Sequence, residues 1–76
     1  MKTKDRVFNC IKRQMGKSDI NLSTDLKNDL KADDLDYIEL TMRLESEFGI
    51  AIDDEKFSTL KTVNDVYRYV TELADA

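Results

Sequence analysis

The stretch "DDLDYIELTMRLESEFG", residues 33–49, decides the fold. It opens on three carboxylates in four positions, Asp33, Asp34 and Asp36, turns apolar at once and stops on a glycine. An acid at a helix N-cap with another three residues on, here Asp33 and Asp36, imitates a capping box, and acids in a first turn oppose the positive helix end. The stretch therefore predicts a helix that begins at Asp33, runs to about Phe48 and is stopped by Gly49. Set out at roughly 100° per residue, its apolar side chains form two stripes. Tyr37, Leu40, Leu44 and Phe48 share one face, while Leu35, Ile38 and Met42 share nearly the opposite one. Between them lie Asp36, Glu39, Arg43 and Glu47 on one flank, Asp34 and Glu45 on the other.

A surface helix in a small bundle needs one apolar stripe. Two opposed stripes leave two readings: a helix covered on both sides, or a face kept for a partner. Acids along both edges of the Leu35, Ile38 and Met42 stripe match a docking face, with an apolar centre and a charged rim. Met42 suits a surface that adapts to more than one partner, and is equally an ordinary core filler. On the docking reading, Asp33, Asp36, Glu39, Glu45 and Glu47 would pair with lysine or arginine on the partner.

Working outward, Val7, Phe8, Ile11 and Met15 fall at helical spacing and predict a helix over residues 4–15, ended by Gly16. Cys10 lies near the edge of that stripe and reads as a small reduced core or boundary residue, with no histidine in the chain to activate it. Residues 16–32 form a long connection, expected to pack down through Ile20, Leu22, Leu26 and Leu30, with a helical turn around Asp25–Asn28. A short helix or turn is expected around residues 54–59. A last helix starts at Thr62, with Val63, Val66, Tyr67, Val70 and Leu73 as its buried stripe. Three main helices, one short helix and no alternating strand predict an all-α, small four-helix bundle, a single domain over residues 1–76.

Composition narrows the chemistry. One cysteine rules out an intrachain disulfide, and without histidine a Cys/His zinc site lacks ligands. No apolar run approaches the roughly 18 residues that span a bilayer, and no signal-peptide core follows Met1, so a soluble cytoplasmic monomer is expected. The net charge of −4 hides an asymmetry: residues 1–17 hold six cations against Asp5, and residues 33–55 hold nine acids against Arg43. Acid at that density repels phosphate backbones and attracts basic protein patches. The basic N-terminal segment lacks the interleaved aromatics that stack bases, so nucleic acid is not an expected partner. The paired acids have no chain left over to form a desolvating cleft, which argues against an enzyme. The string "DDLDYIELTMRLE" lacks the central glycine and alternating oxygens of a calcium loop, so no metal is expected.

From Val7 to about Leu73 the chain resembles an acyl carrier protein. The resemblance is carried by "DLKADDLDYIELTMRLESEFGIAI" (residues 29–52) and "LKTVNDVYRYV" (residues 60–70). In that family a helical bundle presents an Asp-Ser-Leu motif at the start of its second helix. The serine carries 4′-phosphopantetheine, and the helix docks onto basic patches of synthases, reductases and transferases. Asp33 and Leu35 match the motif's outer members, but Asp34 stands at the serine position. A carboxylate is a poor nucleophile toward the pyrophosphate of coenzyme A, and its product would be a hydrolysable acyl phosphate. Ser23, Ser46 and Ser58 are at least ten residues away in sequence. The resemblance thus implies a non-catalytic docking protein of fatty acid or related acyl biosynthesis that carries no covalent arm. Its implied partners are basic patches of acyl-transfer or synthase enzymes, and a phosphopantetheinyl transferase. A second departure is Asp53, where the family often has proline. Two alternatives stay open: a genuine carrier seen as a Ser→Asp variant, and a regulatory decoy of carrier-dependent enzymes. Asp34 itself could do no more than stabilise a helix N-terminus, worth a few tenths to about 1 kcal/mol, or hold negative charge where the phosphodiester would stand.

Overall fold

In a computed structural model, which describes residues 2–75, the chain folds into four helices in the order α1 (Thr3–Met15), α2 (Asp34–Phe48), α3 (Asp54–Phe57) and α4 (Val63–Asp75). Among the described residues there is no strand, and a lone bridge joins Asp25 to Thr62. None of the described helices is long and apolar enough to cross a membrane.

Helices α2, α3 and α4 start on side-chain caps, and α1 and α2 stop on glycine. The Asp36 amide donates to the Asp33 carboxylate at 2.9 Å and the Asp33 amide to the Asp36 carboxylate at 3.1 Å, so the capping box at the head of α2 is reciprocal. Thr62 and Asp65 repeat the device at α4: the Asp65 amide donates to Thr62 Oγ1, and the Thr62 amide returns to Asp65 Oδ2, both at 3.1 Å. Asp53 caps α3 by accepting from the amides of Glu55 and Lys56. Its own amide donates to the Tyr69 hydroxyl at 3.2 Å, a bond that proline at this position could not make. Gly16 and Gly49 end α1 and α2 at φ of 65° and 64°, the left-handed region open to glycine.

The core forms where α1, α2 and α4 face one another. Val7 and Ile11 of α1, Leu44 of α2, and Val63, Val66 and Val70 of α4 are fully buried together with Phe57 and Leu26. Phe57 lies edge-on to Tyr37 at 5.9 Å between ring centroids and tilted against Tyr69 at 6.3 Å, the geometry that aromatic quadrupoles favour. The Tyr37 hydroxyl donates to the Leu60 carbonyl, so its polar tip is satisfied at the core's edge.

The long connection is pinned rather than loose. Leu26 and Leu30 are buried, and Ile20 and Leu22 are half-buried. The Asp25 carboxylate accepts from the amides of Lys27 and Asn28, which closes the expected helical turn. Three backbone bonds tie the segment to the head of α4: Leu26 N–H to Lys61 O, Val63 N–H to Thr24 O, and Asn64 N–H to Leu22 O.

One expectation needs correction, and one open choice is decided. In α4 the buried tyrosine is Tyr69, while Tyr67 and Leu73 are only half-buried. Tyr69 packs inward against Phe57, and its hydroxyl accepts from the Asp53 amide, neither of which periodicity reveals. In α2 the second stripe is not packed: Leu35, Ile38 and Met42 are 61%, 54% and 62% exposed. The reading of a helix covered on both sides therefore fails.

Candidate functional site

Helix α2 builds the candidate surface. Its core stripe (Tyr37, Leu40, Thr41, Leu44) is buried against the bundle, and the 3.6-residue repeat then forces Leu35, Ile38 and Met42 outward. These are the large hydrophobic residues that the described structure leaves exposed. Singly exposed apolar side chains are ordinary, but three in one line on one helix form a contiguous strip.

The acids around the strip hold different positions from one another. Asp33 and Asp36 form the capping box, and Asp36 also shares the side-chain amide of Gln14 with Glu39, at 3.3 Å and 3.2 Å. Glu45 accepts from the Ile52 amide at 2.9 Å. Glu47 is paired with Arg6 at 2.7 Å, the one ion pair among the described residues. Carboxylates retain further lone pairs after such bonds, so internal partners orient these acids without removing their charge. Glu47 lies on the α1 side of the helix and lines a groove that, of the strip, Met42 alone reaches.

Asp34 occupies the first position of α2, is exposed, and its carboxylate has no hydrogen-bond or ion-pair partner among the described residues. Beside it the structure places a feature that sequence reasoning missed, a cleft of about 160 Å³ between α2 and α3. Tyr37, Phe57 and Ile38 supply apolar wall, with Lys27, Asp34 and Asp54 among its polar residues. The expectation that no chain remained to form a cleft beside the acids is thus corrected: the single turn of α3, anchored by Phe57, does so. Ser58, remote from Asp34 in sequence, lines the same cleft, although its hydroxyl donates to the Glu55 carbonyl. Lys27 also lies over the Tyr37 ring at 5.4 Å, and no local sequence signal marked it.

Cys10 is buried between α1 and α2. Desolvation, with a smaller contribution from the Glu47 charge, pushes its thiol above the ordinary value, so the neutral form dominates.

The family model for the phosphopantetheine attachment site matches residues 5–70. An acyl carrier protein of Rickettsia typhi is 38% identical over 73 residues, covering 93% of this chain and 85% of that one. A solved chain from Mycobacterium tuberculosis assigned as an acyl carrier protein superposes with a TM-score of 0.87 at 32% identity, covering 93% of this chain and 97% of that one. An acyl carrier protein from Thermotoga maritima gives 0.78 at 27% identity, over 93% and 85% of the two chains. Sequence and fold agree, and the chain belongs to the phosphopantetheine-attachment family of acyl carrier proteins.

Proposed function

We propose that this chain is a non-catalytic docking protein of cytoplasmic acyl biosynthesis, which presents the α2 surface to carrier-dependent enzymes and carries no covalent arm. The observation that carries the reading is the exposed Leu35, Ile38 and Met42 strip, bordered by Asp34 and Glu45 on one side and Glu39 on the other. An apolar centre excludes water on contact, and the acids attract lysine and arginine of an approaching enzyme. Asp33 and Asp36 strengthen the negative head of the surface while closing the helix cap.

The family's 4′-phosphopantetheine is attached through a serine hydroxyl, and the residues here do not fit that group. Asp34 at the motif's middle position offers a carboxylate, and the hydroxyl of Ser58 across the cleft is engaged with the backbone of α3. What Asp34 does provide is an exposed negative charge at the head of α2, where an attached phosphodiester would place one. Enzymes that read the α2 surface would accept it without cargo.

Intact mass tests the chemical half. Incubated with coenzyme A and a phosphopantetheinyl transferase, the chain should gain no mass, while Asp34→Ser should gain that of the arm. Mass gain by the unsubstituted chain would overturn the proposal. The docking half is read by competition against a loaded carrier for a carrier-dependent synthase. The chain should compete, and Ile38→Ala with Glu39→Lys should abolish competition with helicity retained. Unchanged competition by that variant would remove the α2 surface from the account.

A further inference from the structure

Away from the acidic strip, α1 and α2 enclose a groove of about 570 Å³ with the opposite character. Three of the chain's four arginines line it, in a molecule of net charge −4. Arg6 and Arg13 come from one stripe of α1, two turns apart, and Arg43 from α2. The three are not equivalent. Arg6 is committed: its Nε donates to Glu47 at 2.7 Å, a terminal amine donates to the Glu47 carbonyl at 2.6 Å, and the guanidinium lies over the Phe48 ring at 4.3 Å. Arg43 donates only its Nε, to Gln14 at 2.8 Å, so its two terminal amines have no partner among the described residues. Arg13 is exposed and has neither hydrogen bond nor ion pair among them. Two guanidiniums thus face one groove with only one carboxylate, Glu47, and that one is already bound by Arg6. Gln14 holds Arg43 from one side and the Asp36 and Glu39 carboxylates from the other, which keeps the basic groove and the acidic strip apart.

We infer that this groove takes an acidic segment of a partner protein, with carboxylate side chains on Arg13 and Arg43 and an apolar side chain against Met42. Charge complementarity fixes the sign, since planar guanidinium forks with free amines match carboxylates. Continuity selects a protein segment: Met42 belongs both to this groove and to the exposed apolar strip, so one partner can cover both without a gap. At about 570 Å³, lined from both helices, the groove has room for several side chains rather than a single small anion. The inference extends the docking proposal by making its partner bipolar, basic toward Asp34 and acidic toward Arg13.

The test uses the full chain and a fluorescein-labelled peptide that alternates glutamate and leucine, compared with its glutamine-for-glutamate counterpart and with inorganic phosphate. The glutamate peptide should shift NMR signals of Arg13, Arg43 and Ser46, and raising salt should weaken it. Arg13→Gln, which leaves every α1–α2 hydrogen bond in place, and Arg13→Gln with Arg43→Gln should each lower affinity, the double variant by about tenfold. Ile38→Ala should leave peptide affinity intact while impairing synthase competition, which separates failure of the groove from failure of the strip. Equal binding of the glutamine peptide, unaltered affinity in the arginine variants, or equal shifts with phosphate alone would overturn the inference.

Discussion

At the head of α4 the Asp65 carboxylate accepts from the amides of Lys61 and Thr62. These backbone bonds hold its carboxyl below the ordinary value of 3.8, outweighing the opposing effect of burial, with lesser help from the Thr62 hydroxyl and the nearby Arg68 charge. A carboxyl whose native value is lowered contributes stability that is complete above its unfolded value and is lost as pH falls through the native one. Asp65→Asn should therefore melt lower than the unsubstituted chain at pH 7, and the gap should close as pH drops from about 3.8 downward. A gap independent of pH in thermal melts would show that the charge is not what matters. The start of this helix at Thr62 was legible in the sequence. The pairing of Gln14 with two acids of α2 was not, because residues 22 and 25 positions apart meet only once the helices cross.

At the scale of the element, α2 is a helix with two faces and two fates. Leu44 is fully buried and Leu35 is 61% exposed, nine positions apart in the same helix. Leu44→Ala removes core volume and should cost about 2–5 kcal/mol. Leu35→Ala changes a solvent-facing side chain and should stay within about 0.5 kcal/mol. Urea denaturation of both variants reads the difference, and comparable losses would contradict the exposure of the strip. Periodicity announced both stripes, but it could not say which of them water would reach. In α4 the same method chose Tyr67 over Tyr69, since side chains at the border of a stripe are sorted by their neighbours rather than by their angle.

For the molecule as a whole, the single turn of α3 adds a link between α2 and α4. Phe57 is 1% exposed and touches aromatic rings from α2 and α4, while Tyr69 accepts from the α3 cap. Phe57→Ala should cost about 3–5 kcal/mol. Set against a total of roughly 5–15 kcal/mol for a domain, that loss should bring the melting transition of the entire bundle down. The ellipticity of α1, α2 and α4 should fall together. A variant that melts at the original temperature with α3 alone frayed would mean that the turn docks on a bundle already complete without it. The cleft beside Asp34 should vanish with the same substitution, because Phe57 forms its wall.

Caps, stops and apolar repeats are interactions within about four residues, so the amino-acid order by itself determined the three main helices and the two-faced character of α2. It also determined that Asp34 would stand in the first turn of that helix, since the Asp33 and Asp36 cap leaves it nowhere else. Only the tertiary structure decided which stripe of α2 stayed in water, that α3 would raise a cleft wall beside Asp34, and that Arg6 would claim Glu47 from 41 positions away. Those outcomes depend on where the helices cross, and the crossing is settled by the packing of side chains from all of them at once.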